Sequence, residues 1–121
     1  MSKVLLVVDD NPTNLRLMLK TLQLAGYGVL TAPSAEKAAA VLREASVDLI
    51  FMAVGLPGMD GLTLTQRLKS DSCTQHIPIV IVTSFAMKSD EEAAWASGCD
   101  GFITKPINTR TLAQQLLVYL S

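Results

Sequence analysis

Apolar and polar positions along the chain switch between two periods. Residues 3–8, "KVLLVV", form a short, continuous, β-branched-rich apolar run. Residues 12–26, "PTNLRLMLKTLQLAG", instead place Leu15, Met18, Leu19 and Leu22 on one helical face. The first pattern predicts a strand and the second a helix. Asn11 suits the N-cap, Pro12 the first helical position and Gly26 the residue just past the end. The alternation continues with a strand at 27–32, "YGVLTA", and an alanine-rich helix at 34–45 capped by Ser34. A strand at 47–53, "VDLIFMA", leads through a loop rich in Gly and Pro to a helix at 62–71. The strand at 77–84, "IPIVIVTS", is followed by a helix at about 88–97, a strand at 101–105 and a helix at 109–120.

Strands and helices in strict alternation, joined by short connections, predict an α/β fold with a parallel, doubly wound sheet and right-handed crossovers. A length of 121 residues suits one core, so residues 1–121 read as one domain. Half of the residues are hydrophobic and 17% are charged, a balance that fits a sheet covered by helices on both faces.

The net charge of −1, with Lys and Arg spread along the chain, offers no electrostatic footprint for nucleic acid or an acidic membrane surface. Cys73 and Cys99 lack a Cys-x-x-Cys spacing and companion histidines, which predicts two free thiols in a reducing compartment. No apolar run reaches membrane-spanning length, and the start "MSKVLLVVDD" turns acidic too early for a signal-peptide core. The expected location is therefore cytoplasmic. The one histidine, His76, falls in a loop rather than on an exposed helix, which argues against a histidine phosphotransfer protein. Trp95 falls on the fourth helix, as a packing residue or part of a partner surface.

In doubly wound sheets, ligands gather where the carboxyl ends of the strands meet the following loops. Those ends carry Asp9 and Asp10 on strand one, Ala53 on strand three, Thr83 and Ser84 on strand four, and Lys105 followed by Pro106 on strand five. Adjacent carboxylates opposite a lysine suit a hard divalent cation, because Mg²⁺ prefers oxygen ligands and keeps several waters. The same residues also read as a solvated loop in which Asp10 or Asn11 caps a helix, a threonine that ends a strand and a surface lysine at a turn. Their shared placement on three strands favours the first reading.

The chain resembles a response-regulator receiver domain over essentially its whole length. "VLLVVDDNPTN", "DLIFMAVGLPGMDGLTLTQRLK", "IPIVIVTSFA" and "GCDGFITKPI" match the acidic-pair, phosphoacceptor-loop, Thr/Ser and Lys-Pro motifs of two-component signalling in order and spacing. "TSFAMKSDEE" further resembles DivK-like single-domain regulators and the receivers of hybrid kinases. The resemblance implies a flavodoxin-like sheet in the order 2-1-3-4-5. It also implies that Asp10 binds Mg²⁺ directly, Asp9 through water, and Gly55 through its backbone carbonyl. Thr83 would receive the phosphoryl oxygens, Lys105 would pair with them, and Phe102 would be an aromatic switch residue, although a buried Phe is also an ordinary core residue. The implied partners are a histidine kinase or histidine phosphotransfer protein upstream, and a downstream protein, or a second copy in a homodimer, at the face of helix four, strand five and helix five.

One departure changes the expectation: the family's nucleophilic aspartate corresponds to Ala53. A methyl group offers no oxygen to attack phosphorus and no charge to a cation. Asp60, in the turn "GMDG", lies beyond the strand end and does not replace it. The retention of Asp9, Asp10, Thr83 and Lys105 favours an aspartate replaced in a working receiver over a natural pseudo-receiver that binds partners without phosphorylation. Either way the chain is expected to be a signalling module and not an enzyme. A haloacid-dehalogenase-type phosphatase would need Asp-x-Asp-x-Thr, which "VVDDNPTN" does not supply. A flavin-binding protein would need a Ser/Thr/Gly-rich phosphate loop, and an acidic pair there would repel phosphate.

Overall fold

Short runs of Val, Ile and Leu bounded by helix-capping residues build the sheet. The computed structural model describes residues 3–84, 87–105 and 109–120, so Pro106, read above as the turn residue after Lys105, lies outside the described residues. Strands β1 (Val4–Val8), β2 (Gly28–Ala32), β3 (Leu49–Ala53), β4 (Ile79–Thr83) and β5 (Gly101–Thr104) alternate with helices α1 (Pro12–Leu24), α2 (Ala35–Glu44), α3 (Gly61–Ser70), α4 (Lys88–Ala96) and α5 (Thr109–Leu120). All four strand pairings are parallel, in the order β2-β1-β3-β4-β5. The doubly wound fold expected from the pattern is the fold observed, in the strand order that the resemblance implied.

The strand period of two divides the interior into two layers. Leu6, Val8, Ile50, Met52, Ile79 and Ile81 face α2, α3 and α4, where they pack with Ala38, Leu64, Leu68 and Ala94. Leu5, Val7, Leu49, Phe51, Val80 and Val82 face the other way and pack with Met18 and Leu22 of α1 and Leu112 and Leu116 of α5. Both faces are covered, so every residue of central strands β3 and β4 is buried, whereas edge strands β2 and β5 are only partly so. Among the described residues no helix is long and apolar enough to cross a membrane.

Local chemistry sets the ends of these elements. The Asn11 side chain accepts from the backbone N–H groups of Thr13 and Asn14, Ser34 from that of Lys37, and Asp60 from that of Thr63. Gly26, at φ 97°, takes the left-handed turn that ends α1. At the opposite rim from the strand ends, Asp48 accepts the Val4 N–H and Asp100 accepts the Ile79 N–H, each at 2.8 Å. Lys69 of α3 pairs with Asp100 at 2.6 Å and donates to the Ile77 carbonyl at 2.8 Å, tying α3 to the segments that enter β4 and β5.

Both cysteines are free thiols, Cys73 exposed and Cys99 buried. Burial pushes the Cys99 thiol above its ordinary value, with nearby Asp100 adding to the rise. Reaction with a thiol reagent near neutral pH is therefore expected to modify Cys73 promptly and to reach Cys99 only when denaturant is added. Two equally fast thiols in the native protein would contradict that assignment.

Candidate functional site

The carboxyl ends of β1 and β3 form the point where the chain turns to opposite faces: α1 follows β1 onto one face of the sheet, and α3 follows β3 onto the other. A crevice opens between such diverging loops. Here it is a cleft of about 210 Å³ lined by Asp9, Asp10, Ala53, Gly55, Thr83 and Lys105, with Asn14 and Ser84 also at its walls. Residues 96 positions apart in sequence thus share one hollow: Lys105 donates to Asp9 at 3.2 Å.

Asp9 follows Leu5 and Val7 onto the α1 side of the sheet and is buried, whereas Asp10 is exposed. The Asp9 carboxylate would be costly in that position without donors. It accepts the Asn11 backbone N–H at 3.0 Å on one oxygen, and the Asn14 side-chain amide at 3.3 Å and the Lys105 ammonium on the other. Two of these donors come from the first turn of α1, so the N-cap that starts the helix also fixes the acid. Asn11 caps α1 beside the acidic pair, so the helix cap and the acidic cleft coexist at this strand end.

Lys105 is brought to the cleft by its own backbone, whose N–H donates to the Thr83 carbonyl at 2.7 Å and extends the β4–β5 ladder by one residue. Thr83, the last residue of β4, is buried, and Ser84 beside it is exposed. Ala53 ends β3 and is 6% exposed, with its neighbour Gly55 open to solvent. The loop after Ala53 is held by the Gly61 N–H donating to the Val54 carbonyl at 2.8 Å. Gly61 packs so closely against the Ala53 carbonyl that no side chain fits there.

Six of the sequence-predicted positions, Asp9, Asp10, Ala53, Gly55, Thr83 and Lys105, therefore line one cleft. Phe102 does not line it; it sits half-buried on β5, opposite Ile81 in register, against the core beneath α2–α4. Asp60 is the N-cap of α3, as expected of a turn residue rather than a substitute nucleophile. Asn14 is the participant that motif reading passed over. Its position one turn into α1, with helical side chains tilting toward the N-terminus, was the available signal.

The oxygen-rich lining suits a hard cation. Two carboxylates and a carbonyl, with room for water, match the hard donor set of Mg²⁺. Among the described residues no group of three or more His, Cys, Asp or Glu forms a fuller cage. The donors present fit such an ion, with one carboxylate fewer than a three-acid set would offer.

A family model described as the response regulator receiver domain matches residues 5–117. The chain belongs to this receiver family. Receiver domains are signalling modules of two-component systems. Among its relatives is the polar-differentiation response regulator DivK of Brucella ovis, 38% identical over 120 residues, covering 99% of this chain and 98% of that protein. The receiver fold is also that of the Vibrio cholerae chemotaxis protein CheY4, with a TM-score of 0.93, 30% identity and coverage of 99% and 100%. A third similar structure is the receiver domain of the sensor histidine kinase PA1611 from Pseudomonas aeruginosa, with a TM-score of 0.91, 25% identity and coverage of 99% and 98%. That structure is described with a magnesium ion coordinated in its active-site cleft.

Proposed function

We propose that this receiver accepts a phosphoryl group from a histidine kinase or histidine phosphotransfer protein when residue 53 is aspartate, and that Ala53 holds it in an unphosphorylatable form. The observation that carries the reading is the position of the Ala53 methyl at the floor of a cleft otherwise lined by two acids, a hydroxyl and an ammonium. Such an arrangement has little structural use around a methyl group, which favours a replaced aspartate over a natural pseudo-receiver.

With aspartate at 53, a side-chain oxygen would attack phosphorus as the phosphorus–nitrogen bond of the donor breaks and its imidazole leaves with the electron pair. Lys105 would pair with the transferred oxygens and Thr83 would donate its hydroxyl to them. Asp10 would hold Mg²⁺ directly, Asp9 through water and Gly55 through its carbonyl. The ion supplies neutralisation of the charge that gathers on the phosphoryl oxygens.

Phosphorylation would then be read out through Thr83 and Phe102, a shift between two conformations of the α4, β5 and α5 face. The two helices expose large apolar side chains: Met87 at the cap of α4 and Trp95 on it, and Leu117 and Val118 on α5. These support docking of a downstream protein or a second copy. The upstream partner would meet α1 and the loops around the acidic cleft. Nothing in the charge distribution recommends nucleic acid as a partner, and a cytoplasmic setting agrees with the free thiols.

The deciding experiment is incubation of the Ala53→Asp protein with phosphoramidate. Mg²⁺-dependent, hydroxylamine-labile phosphoryl uptake is expected in that variant and none in the Ala53 protein. Absence of uptake by the aspartate variant would favour the pseudo-receiver.

A further inference from the structure

The space around the Ala53 methyl is incompletely filled on two sides. Above it lies the cleft of about 210 Å³; a second hollow of about 10 Å³ reaches it from the α1 side, among Val7, Phe51, Val82 and Met18. Since a molecule of liquid water takes up about 30 Å³, the upper cleft has room for a small ion as well as several waters.

Charge decides which ion. Asp9 and Asp10 against Lys105 leave the cleft with one net negative formal charge, so an anion alone is repelled. A divalent cation turns that into one net positive charge, which an aspartate at 53 would cancel and a methyl group cannot. The Lys105 ammonium, drawn to Asp9 in this structure, is the cationic donor in the cleft lining for a third carboxylate entering there.

We infer that, with Mg²⁺ present, the cleft over Ala53 binds a small free monocarboxylate of formate size, which rests on the methyl group at van der Waals distance and supplies the carboxylate that the side chain lacks. The inference rests on the reading of position 53 given above. A carboxylate suits the site better than chloride because it is a hard oxygen donor for Mg²⁺ and can accept from Lys105 with its second oxygen. Formate suits it better than longer acids. A non-bonded carbon stays about 3.5 Å or more from the Ala53 methyl, so any added chain would be pushed out of the hollow. Binding of cation and anion is then reciprocal, each tightening the other.

The test is a calorimetric Mg²⁺ titration of the Ala53 protein in sodium formate and in sodium chloride at equal ionic strength. Formate is expected to lower the Mg²⁺ dissociation constant by about fivefold or more, within the usual range of coupling between sites. Weak complexing of free Mg²⁺ by formate acts in the opposite direction and cannot imitate this. Without Mg²⁺, formate is expected to leave the melting temperature where chloride leaves it, and propionate is expected to give a smaller gain than formate. In the Ala53→Asp protein the two salts are expected to give the same dissociation constant. Equal Mg²⁺ affinity in both salts for the Ala53 protein, or an equal formate gain in the aspartate variant, overturns the inference while phosphoryl uptake by that variant keeps the reading of the site intact. An aspartate variant that neither binds Mg²⁺ nor takes up phosphate ends both.

Discussion

Without metal, the Ala53→Asp protein is expected to melt at or below the temperature of the Ala53 protein, and to show the larger upward shift when Mg²⁺ is added. The new carboxylate would stand where Ala53 is 6% exposed, in the same cleft as Asp9, whose oxygens already take up the Asn11 N–H, the Asn14 amide and the Lys105 ammonium. Two like unit charges about 4 to 5 Å apart repel by roughly 3 to 4 kcal/mol at an effective dielectric of about 20. Lys105 offsets part of this, but it would be shared between two acids instead of serving one. The methyl group avoids the conflict. Mg²⁺ reverses the balance, because the third carboxylate that costs stability in the apo protein is also a ligand. Binding to the folded state alone stabilises by about 2.7 kcal/mol when the ion is at about 100 times its dissociation constant, and by less for the weaker site. Melting curves of both proteins with and without Mg²⁺ decide the matter. Equal metal-induced shifts would mean that residue 53 contributes nothing to the cation site.

The elements of the fold were legible because each central strand is a continuous apolar run and each helix carries a polar outer face. What the pattern misjudged were strand starts, and side-chain chemistry explains why. The strand predicted from Val47 begins at Leu49, because Asp48 turns its carboxylate back to the Val4 N–H. The strand predicted from Tyr27 begins at Gly28, because the Tyr27 N–H donates to the Leu22 carbonyl and so belongs to the turn that closes α1. At the site, the strand ends and the family motifs pointed to Asp9, Asp10, Ala53, Thr83 and Lys105, and these line one cleft. They did not say which acid points inward. The period of two does not decide it, since both faces of β1 are covered; Asp9 follows Leu5 and Val7 onto the α1 side, where Asn14 and Lys105 donate to it, and Asp10 is left in solvent. For Asn14 the signal was its place one turn into α1, but its contact with Asp9 also depends on how that turn sits over the strand end.

The largest loss of stability from a single methyl group is expected from Gly61→Ala. Gly61 opens α3 directly after its cap, Asp60, and the backbone there approaches the end of β3 so closely that an added Cβ would overlap the Ala53 carbonyl oxygen and press on its carbonyl carbon. The obstacle is backbone in the middle of the sheet, not the end of a flexible side chain. Relief therefore requires α3 or the end of β3 to move, and crowding of this kind costs about 1 to 3 kcal/mol. A lowering of the melting temperature by roughly 4 °C or more is expected. Gly55→Ala is the matched control, since a Cβ at that position meets nothing within 4 Å and surface changes of this type stay within about 0.5 kcal/mol. The functional consequence follows from the same contact. The carbonyl that Gly61 touches belongs to the residue at the floor of the cleft, and a displacement of about 1 Å at a reacting group can cost about a hundredfold in rate. Introduced alongside Ala53→Asp, Gly61→Ala is thus expected to slow phosphoryl uptake at temperatures where the protein is still folded, whereas Gly55→Ala leaves the melting temperature nearly unchanged. Equal melting temperatures for the two glycine variants would show that the approach of α3 to β3 is looser than the structure makes it, and would remove the explanation offered here for the glycine of the "GMDG" turn.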